Sequence, residues 1–440
     1  MFELSALGVE WGTFLLFGMM IVLLMMGKPL AYLTGFVAMF FAIGWFGPNV
    51  LPLLTSRIYS FVGEYTLIAV PMFVLMASLL DRTNIAKDLY NAMQFFGGRI
   101  KGGVAVQTLV VAVFLAAMSG IIGGETVLLG MLALPQMLRL GYDKKLAIGT
   151  VCAGGSLGTM VPPSIVLIIY GLTANVSIGD LFTAAVMPAL MLAGFYLVYI
   201  LVRCHLQPSL APTASGDELD DFGGIGKVIM DIAAPGIIIV FVLGSIYGGI
   251  ASVTEAASVG VTAVLLLAAV RRELKFSVLQ ESLVQTMRTC GMIIWIGISA
   301  SALIGVYNLM GGSRFVQGMI LGLDVSPLLI ILLMMGILIF LGMFMDWIGI
   351  ALLTMPIFVP IVTGLGYDPV WFGVVFCMNM QVSFLSPPFG PAAFYLKSVA
   401  PPEITLIDIF SSVWPFILMQ LLALALVVLN PGIALWLVNL

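Results

Sequence analysis

Pro162–Pro163 and Pro387–Pro388 are adjacent proline pairs set within stretches apolar enough to lie in a bilayer. Proline has no N–H, so in a continuous helix the first pair would deprive the carbonyls of Gly158 and Thr159 of their donors. The second pair would do the same to Ser383 and Phe384. In hydrocarbon such orphans are costly, and backbone of this kind survives only inside protein or beside a wet cavity. Hard oxygen surrounds each break: Ser156, Thr159 and Ser164 at the first, Asn379, Ser383 and Ser386 at the second. Carbonyl and hydroxyl oxygens with little formal charge suit a weakly held monovalent cation better than a transition metal, and sodium is the simplest candidate. Helices restarting after the breaks also point partial positive charge at the same place.

Two further stretches, Met118–Gly130 and Gly342–Thr354, begin with small or polar residues and are too short to be two full spans with their apolar continuations. They read as parts of re-entrant hairpins. Each brings a carboxylate, Glu125 and Asp346, and a carboxylate at membrane depth is costly and functional by default. Asp346 favours cation or helix-end binding, whereas Glu125 fits a ligand role and a water-exposed hairpin tip equally well. Thr126, Ser164 and Lys397 are the candidates for contact with a substrate; Lys397, one turn before Ala-Pro-Pro, also fits an interfacial helix end.

The elements that must position these residues are membrane helices. Of the 440 residues, 62% are hydrophobic and 9% charged, and the mean hydropathy is +1.19. About a dozen apolar runs approach the length that spans roughly 30 Å of hydrocarbon, among them Val104–Met118 and Pro327–Met345. The N-terminus has no basic region or small-residue cleavage site and reads as entry to a retained first span. Cys152, Cys204, Cys290 and Cys377 lack metal or disulfide spacing, and the one histidine, His205, lies in the most polar stretch. Membrane-embedded hydrolase or transferase chemistry therefore has little material. The net charge of −4 offers no basic patch for nucleic acid.

The polar interval 205–227 reads as a cytoplasmic linker between halves 1–204 and 228–440, with Arg203, Lys227, Arg271, Arg272 and Lys275 marking the inner side. Thr254 and Glu255 then fall on the opposite face, where Glu255 reads equally as a solvated loop carboxylate. Ile85, Leu89, Met93 and Phe96 recur at helical spacing among Arg82, Lys87, Arg99 and Lys101, which predicts an interfacial amphipathic helix. Between the halves, Leu-Gly-Tyr-Asp occurs at 140–143 and 365–368, five residues after Pro135 and Pro360. The same offset of 225 carries Pro162–Pro163 onto Pro387–Pro388 and Tyr170 onto Tyr395. Duplicated halves with matched helix breaks are the signature of a secondary transporter whose site lies between the repeats; the residues alone leave parallel and inverted copies open.

These residues resemble the large membrane subunit of the tripartite ATP-independent periplasmic (TRAP) transporters. The match runs through Ser-Gly at 119–120 with Glu-Thr at 125–126, Pro135 to Gly171, TEAASVG at 254–260, GMFMD at 342–346, and Asn379 to Pro391. The resemblance implies an all-α polytopic membrane protein with two inverted repeats, re-entrant helical hairpins and discontinuous transmembrane helices. It implies an elevator-type importer of an organic anion, a carboxylate or sulfonate, in the bacterial or archaeal inner membrane. Sodium ions would be the coupling ions, with no other cofactor. An extracytoplasmic substrate-binding protein and a small membrane subunit of about four helices would be its partners. Family sodium sites match Ser119, Gly155, Ser156, Gly158, Asp346, Asn379, Ser383 and Ser386. The chain departs from the pattern at Gly123–Glu125, where small residues are common, and in carrying Gln381, Ser383 and Ser386. A self-sufficient ion-coupled organic-anion transporter without a binding protein is the alternative, and a non-transporting scaffold is the third reading.

Overall fold

The computed structural model describes residues 4–97, 100–120, 123–212, 225–322 and 324–440, and among them every regular element is a helix. Helices α1 (Gly8–Met25) and α2 (Leu30–Phe46) form a pair. Past Gly47 the chain bends by 119° into the stretch containing α3 (Leu51–Val62). Then come α4 (Ala69–Arg82) and α5 (Ile85–Gly97). A first hairpin is made by α6 (Gly103–Ser119) and α7 (Gly124–Arg139), a first interrupted helix by α8 (Lys144–Ser156) and α9 (Ile165–Ala174), and α10 (Ile178–Leu206) follows.

In the second half a hairpin, an interrupted helix and a long helix again follow one another, after four helices rather than five. Helices α11 (Ile225–Tyr247) and α12 (Val253–Val270) pair, and α13 (Phe276–Leu309) is the longest helix, with α14 (Gly312–Leu321) after it. The second hairpin is α15 (Pro327–Gly342) and α16 (Trp347–Gly364), the second interrupted helix α17 (Pro369–Leu385) and α18 (Pro391–Val399), and α19 (Leu406–Leu429) and α20 (Gly432–Leu435) end the chain. Residues 213–224, most of the expected linker, lie outside the described residues, as does Arg99.

Among the described residues eight helices are long and apolar enough to cross a membrane, or nine if the bent pair beginning with α2 counts as one span. The larger number of apolar runs in the sequence has a geometric explanation. Val104–Met118 and Pro327–Met345 are hairpin arms rather than spans: helices α6 and α15 have 17 and 16 residues, short of the roughly 20 that cross hydrocarbon. The first arms of both interrupted helices are surrounded by protein: α8 is buried from Leu146 to Ser156 and α17 from Trp371 to Leu385.

The halves interlock. Helix α7 packs on α18 and α16 on α9, while α10 lies on α17 and α19 on α8. Outside this unit α13 is gripped by α2 and α4, with the Thr34 hydroxyl donating to Ser299 Oγ at 2.8 Å and Ser282 Oγ to the Ser78 carbonyl at 3.3 Å. Buried Ile293, Ile296, Ala300 and Leu303 line its inner face at helical spacing.

Helix α5 is amphipathic as expected, with Ile85 and Leu89 buried against its neighbours. Its Asp88 meets Arg271, which forks between Asp88 at 2.7 Å and Asp231 at 2.9 Å. Burial and the neighbouring Asp231 carboxylate push the Asp88 carboxyl above its ordinary range, against the pull of Arg271. One guanidinium thus ties α5, α11 and the end of α12 together. Glu255 is a local cap: it closes a capping box with Ser252 at the start of α12.

Arg271→Met leaves two carboxylates facing each other, one largely buried, and is expected to cost roughly 2–4 kcal/mol, discounted for the partial exposure of Asp88. Melting of the detergent-purified protein measures this, and adding Asp88→Asn and Asp231→Asn should recover part of the loss.

Candidate functional site

Each hairpin tip is seated on the break of its own half. At the first, Gly120 has φ +58° and its carbonyl accepts from Ile165 N–H at 3.4 Å; a Cβ on Gly120 would overlap the Pro163 carbonyl. Only glycine permits that approach. At the second tip, a Cβ on Gly342 would overlap the Ser383 hydroxyl. Both prolyl pairs have cis peptide bonds.

At the first break α8 tightens into a 3₁₀ turn at Leu157–Thr159 before α9 restarts with Ser164 as its N-cap. The carbonyls freed there find partners in the protein. Thr159 O accepts from the Ser164 hydroxyl and from Cys377 Sγ, the latter at 2.8 Å. Ser156 O accepts from the Thr159 hydroxyl at 2.8 Å and from Gln381 Nε2 at 3.1 Å, and Gln420 Nε2 donates to Ser156 Oγ at 3.3 Å. At the second break Ser383 Oγ donates to Asn379 O at 3.1 Å and Ser386 Oγ to Val382 O at 2.7 Å.

Glu125 lies in this interior, 2% exposed, and a water-exposed hairpin tip is therefore the wrong place for it. Its carboxylate accepts from the Ser119 hydroxyl and fills the space where a Cβ on Gly158 would stand. Thr126 packs in the same way on Gly155. Ser119, Glu125, Thr126, Gly155 and Gly158 thus form one cluster, and Ser156, Thr159, Ser164, Gln381 and Gln420 a second one beside it.

Four oxygens in these clusters are buried without a hydrogen-bond partner among the described residues, Glu125 Oε2, Thr126 Oγ1, Gln381 Oε1 and Gln420 Oε1, as is Asn379 Oδ1 of α17. All are hard donors, mostly neutral, and the described residues contain no group of three or more His, Cys, Asp and Glu side chains fit for a transition metal. Hard oxygen of this kind suits an alkali cation better than a transition metal. Gln381 and Gln420 were not among the residues singled out as ligands from sequence. The offset of 225 that matches Ser156 with Gln381 was the available signal for Gln381; nothing in the spacing pointed to Gln420.

A cavity of about 460 Å³ opens between both tips, the second break and α13. Gly120, Ile165, Gly342, Asp346, Ser383 and Tyr395 reach it, facing Thr289, Met292, Ile293 and Ile296 of α13. Asp346 caps α16, accepting from Ile348 N–H at 3.3 Å, and remains exposed. Ser386 is half-buried and is not part of the lining. Lys397 is also elsewhere: its amine donates to the carbonyl of Ile404 at 2.7 Å and of Pro402 at 3.5 Å, tying the end of α18 to the following loop.

Paired hairpins, interrupted helices and a cavity beside a long framing helix define a polytopic membrane transporter. The family model "Tripartite ATP-independent periplasmic transporter, DctM component" matches residues 17–433, and the chain belongs to that family. It is 31% identical to the ectoine TRAP transporter large permease protein TeaC of Halomonas elongata over 97% of this chain and 98% of that one. It is 27% identical to the C4-dicarboxylate TRAP transporter large permease protein DctM of Vibrio cholerae, over 96% of each. The isethionate TRAP transporter permease protein DctMQ of Oleidesulfovibrio alaskensis is 27% identical over 95% of this chain and 65% of that protein. In fold it is similar to the Alcanivorax borkumensis YdaH transporter, with a TM-score of 0.61 at 14% identity, covering 89% of each chain. These relatives are transporter permeases, and the chain is a multi-pass membrane transporter subunit rather than an enzyme.

Gly158→Ala forces a methyl into the Glu125 carboxylate and is expected to cost about 1–3 kcal/mol. Glu125→Ala in the same chain should relieve it, so a double-mutant cycle of melting temperatures should show strong coupling.

Proposed function

We propose that this chain is the large membrane subunit of a sodium-coupled importer of an organic acid. The observation that carries this reading is the meeting of both hairpin tips and the second break at one cavity, beside buried oxygens that lack partners. Sodium is bound by oxygen from the breaks and hairpins: Ser119, Gly155, Ser156, Gly158 and Thr159 from the first half, and Asp346, Asn379, Ser383 and Ser386 from the second. Thr126, a substrate candidate by sequence, is fully buried on Gly155 and does not line the cavity. The substrate sits in the cavity, with Ser164 behind its wall; Lys397 serves as a structural tie.

The repeats are inverted, so the first hairpin enters from the cytoplasmic side and the second from the outer side. The interlocked hairpins and interrupted helices move as one body along a frame of α2, α4, α12 and α13 in an elevator motion. Support comes from the packing: the mobile unit is tied internally by bonds such as Gln381 to Ser156, while the cavity forms its boundary with α13. The substrates for which these relatives are named, C4-dicarboxylates, ectoine and isethionate, are all organic acids or their salts. A binding protein delivers the substrate and a small membrane subunit of about four helices braces this chain; the relative named DctMQ extends well beyond the matched length.

Proteoliposomes holding the chain with both partners should take up substrate only under an inward sodium gradient. Asp346→Ala and Ser383→Ala should each lower uptake about tenfold at limiting sodium, the effect of roughly 1.4 kcal/mol lost from a cation site. Normal sodium-dependent uptake by both well-folded variants would contradict the assignment.

A further inference from the structure

Beside the substrate cavity lies a second, more polar one of about 400 Å³, where the end of α4 meets the start of α13. Arg82 of α4 and Gln280, Glu281, Val284, Gln285 and Arg288 of α13 line it. The two cavities adjoin along one helix. Arg288 faces this one and Thr289 the substrate cavity, and Gln285 Nε2 donates to Thr289 Oγ1 at 3.4 Å. Helix α13 begins directly after Arg271, Arg272 and Lys275, so the positive-inside pattern assigns this end to the cytoplasmic side.

Charge in the polar cavity is unbalanced: its walls hold two guanidinium groups and one carboxylate, which leaves a net positive charge. Arg82 and Glu281 approach only to 3.9 Å with both side chains reaching water, and a loose exposed pair of this kind binds its members weakly. Asp81 does not complete the balance, because its carboxylate lies against Gly124 at the first hairpin. Arg288 has no hydrogen bond or ion pair among the described residues. The lining of the substrate cavity, by contrast, contains no lysine, arginine or histidine among the described residues. An organic acid that leaves it toward the cytoplasm therefore meets its first cations at Arg288 and Arg82. A planar guanidinium fork takes a carboxylate or sulfonate through two parallel N–H···O bonds, and the amides of Gln280 and Gln285 add neutral donors. We infer that Arg82 and Arg288 form an anion site at the inner mouth of the substrate cavity, which receives the acid group of the substrate as it is released. This inference rests on the reading of the neighbouring cavity as the substrate site.

The test places a thiol in this cavity by Val284→Cys; the four native cysteines are buried, and the wild-type chain serves as the blank. The thiol reacts with 2-sulfonatoethyl or 2-trimethylammonioethyl methanethiosulfonate, and each rate is divided by that of a free thiol to report the local potential. The purified full-length chain in neutral detergent should favour the sulfonate reagent by about tenfold. Arg288→Gln and Arg82→Gln should each bring the two rates level. Sodium succinate, exchanged for sodium chloride at equal ionic strength, should slow the modification saturably. Arg288→Lys should keep the rate ratio but weaken this protection, since an ammonium group lacks the fork. In proteoliposomes with both partners, Arg288→Gln should lower maximal uptake several-fold and leave the half-saturating sodium concentration unchanged. Equal rates for the two reagents, or a preference without succinate protection, would overturn the inference and leave the transport reading standing, since sodium-driven uptake by the wild-type chain tests that reading separately. Protection by phosphatidylglycerol in nanodiscs, where succinate gives none, would assign the site to a lipid headgroup and overturn the inference as well. Succinate protection with maximal uptake unchanged in Arg288→Gln would overturn the release role.

Discussion

The structure depends on how broken backbone is satisfied at membrane depth. Two proline pairs remove donors that a continuous helix would supply, and water is not available to every freed carbonyl. The protein answers with the other half of the molecule: Gln381 of α17 donates to the carbonyl of Ser156 in α8, and Cys377 to that of Thr159. Ser156 and Gln381 are separated by 225 positions, the spacing that superimposes the two proline pairs. Repeat-related residues are therefore in direct contact, and the first break is completed by donors from the second half.

This mutual dependence explains the tight steric fit at the hairpin tips. Gly120, Gly158 and Gly342 each stand where a Cβ would strike a neighbour of functional type: the Pro163 carbonyl, the Glu125 carboxylate and the Ser383 hydroxyl. The glycines bring oxygen and backbone close together without bulk between them. Helix α13, anchored by Thr34 on α2 and Ser78 on α4, then presents a smooth, mostly apolar face to this unit. The unit keeps unpartnered polar side chains in its interior and meets its frame along a mostly apolar boundary.

Much of this was legible in the sequence. The offset of 225 and the proline pairs placed both interrupted helices, and the short apolar runs after Met118 and Gly342 placed both hairpin tips. What could not be read was lateral position. Periodicity does not distinguish a short span from a hairpin arm, which is why Val104–Met118 and Pro327–Met345 resembled spans. Nor does it say which neighbour meets a polar side chain: Glu125 fitted a wet tip until its contact with Ser119 and Gly158 placed it in the interior. Gln381 stood out in the sequence only as a departure from the family pattern, and Gln420 not at all; their role as donors to Ser156 depends on contacts across 225 and 264 positions. Lys397 matched an anion-binding residue by charge alone, and its carbonyl partners assign it to the loop instead.

The central claim is that buried oxygens at the two breaks hold sodium in the native state. The direct test is the melting temperature of the purified full-length protein in sodium chloride, potassium chloride and choline chloride at equal ionic strength. A ligand bound only by the folded protein stabilises it by about 1.4 kcal/mol at ten times its dissociation constant. The account predicts a rise with sodium that potassium and choline do not reproduce and that Asp346→Ala or Ser383→Ala reduces. Equal melting in all three salts would contradict it.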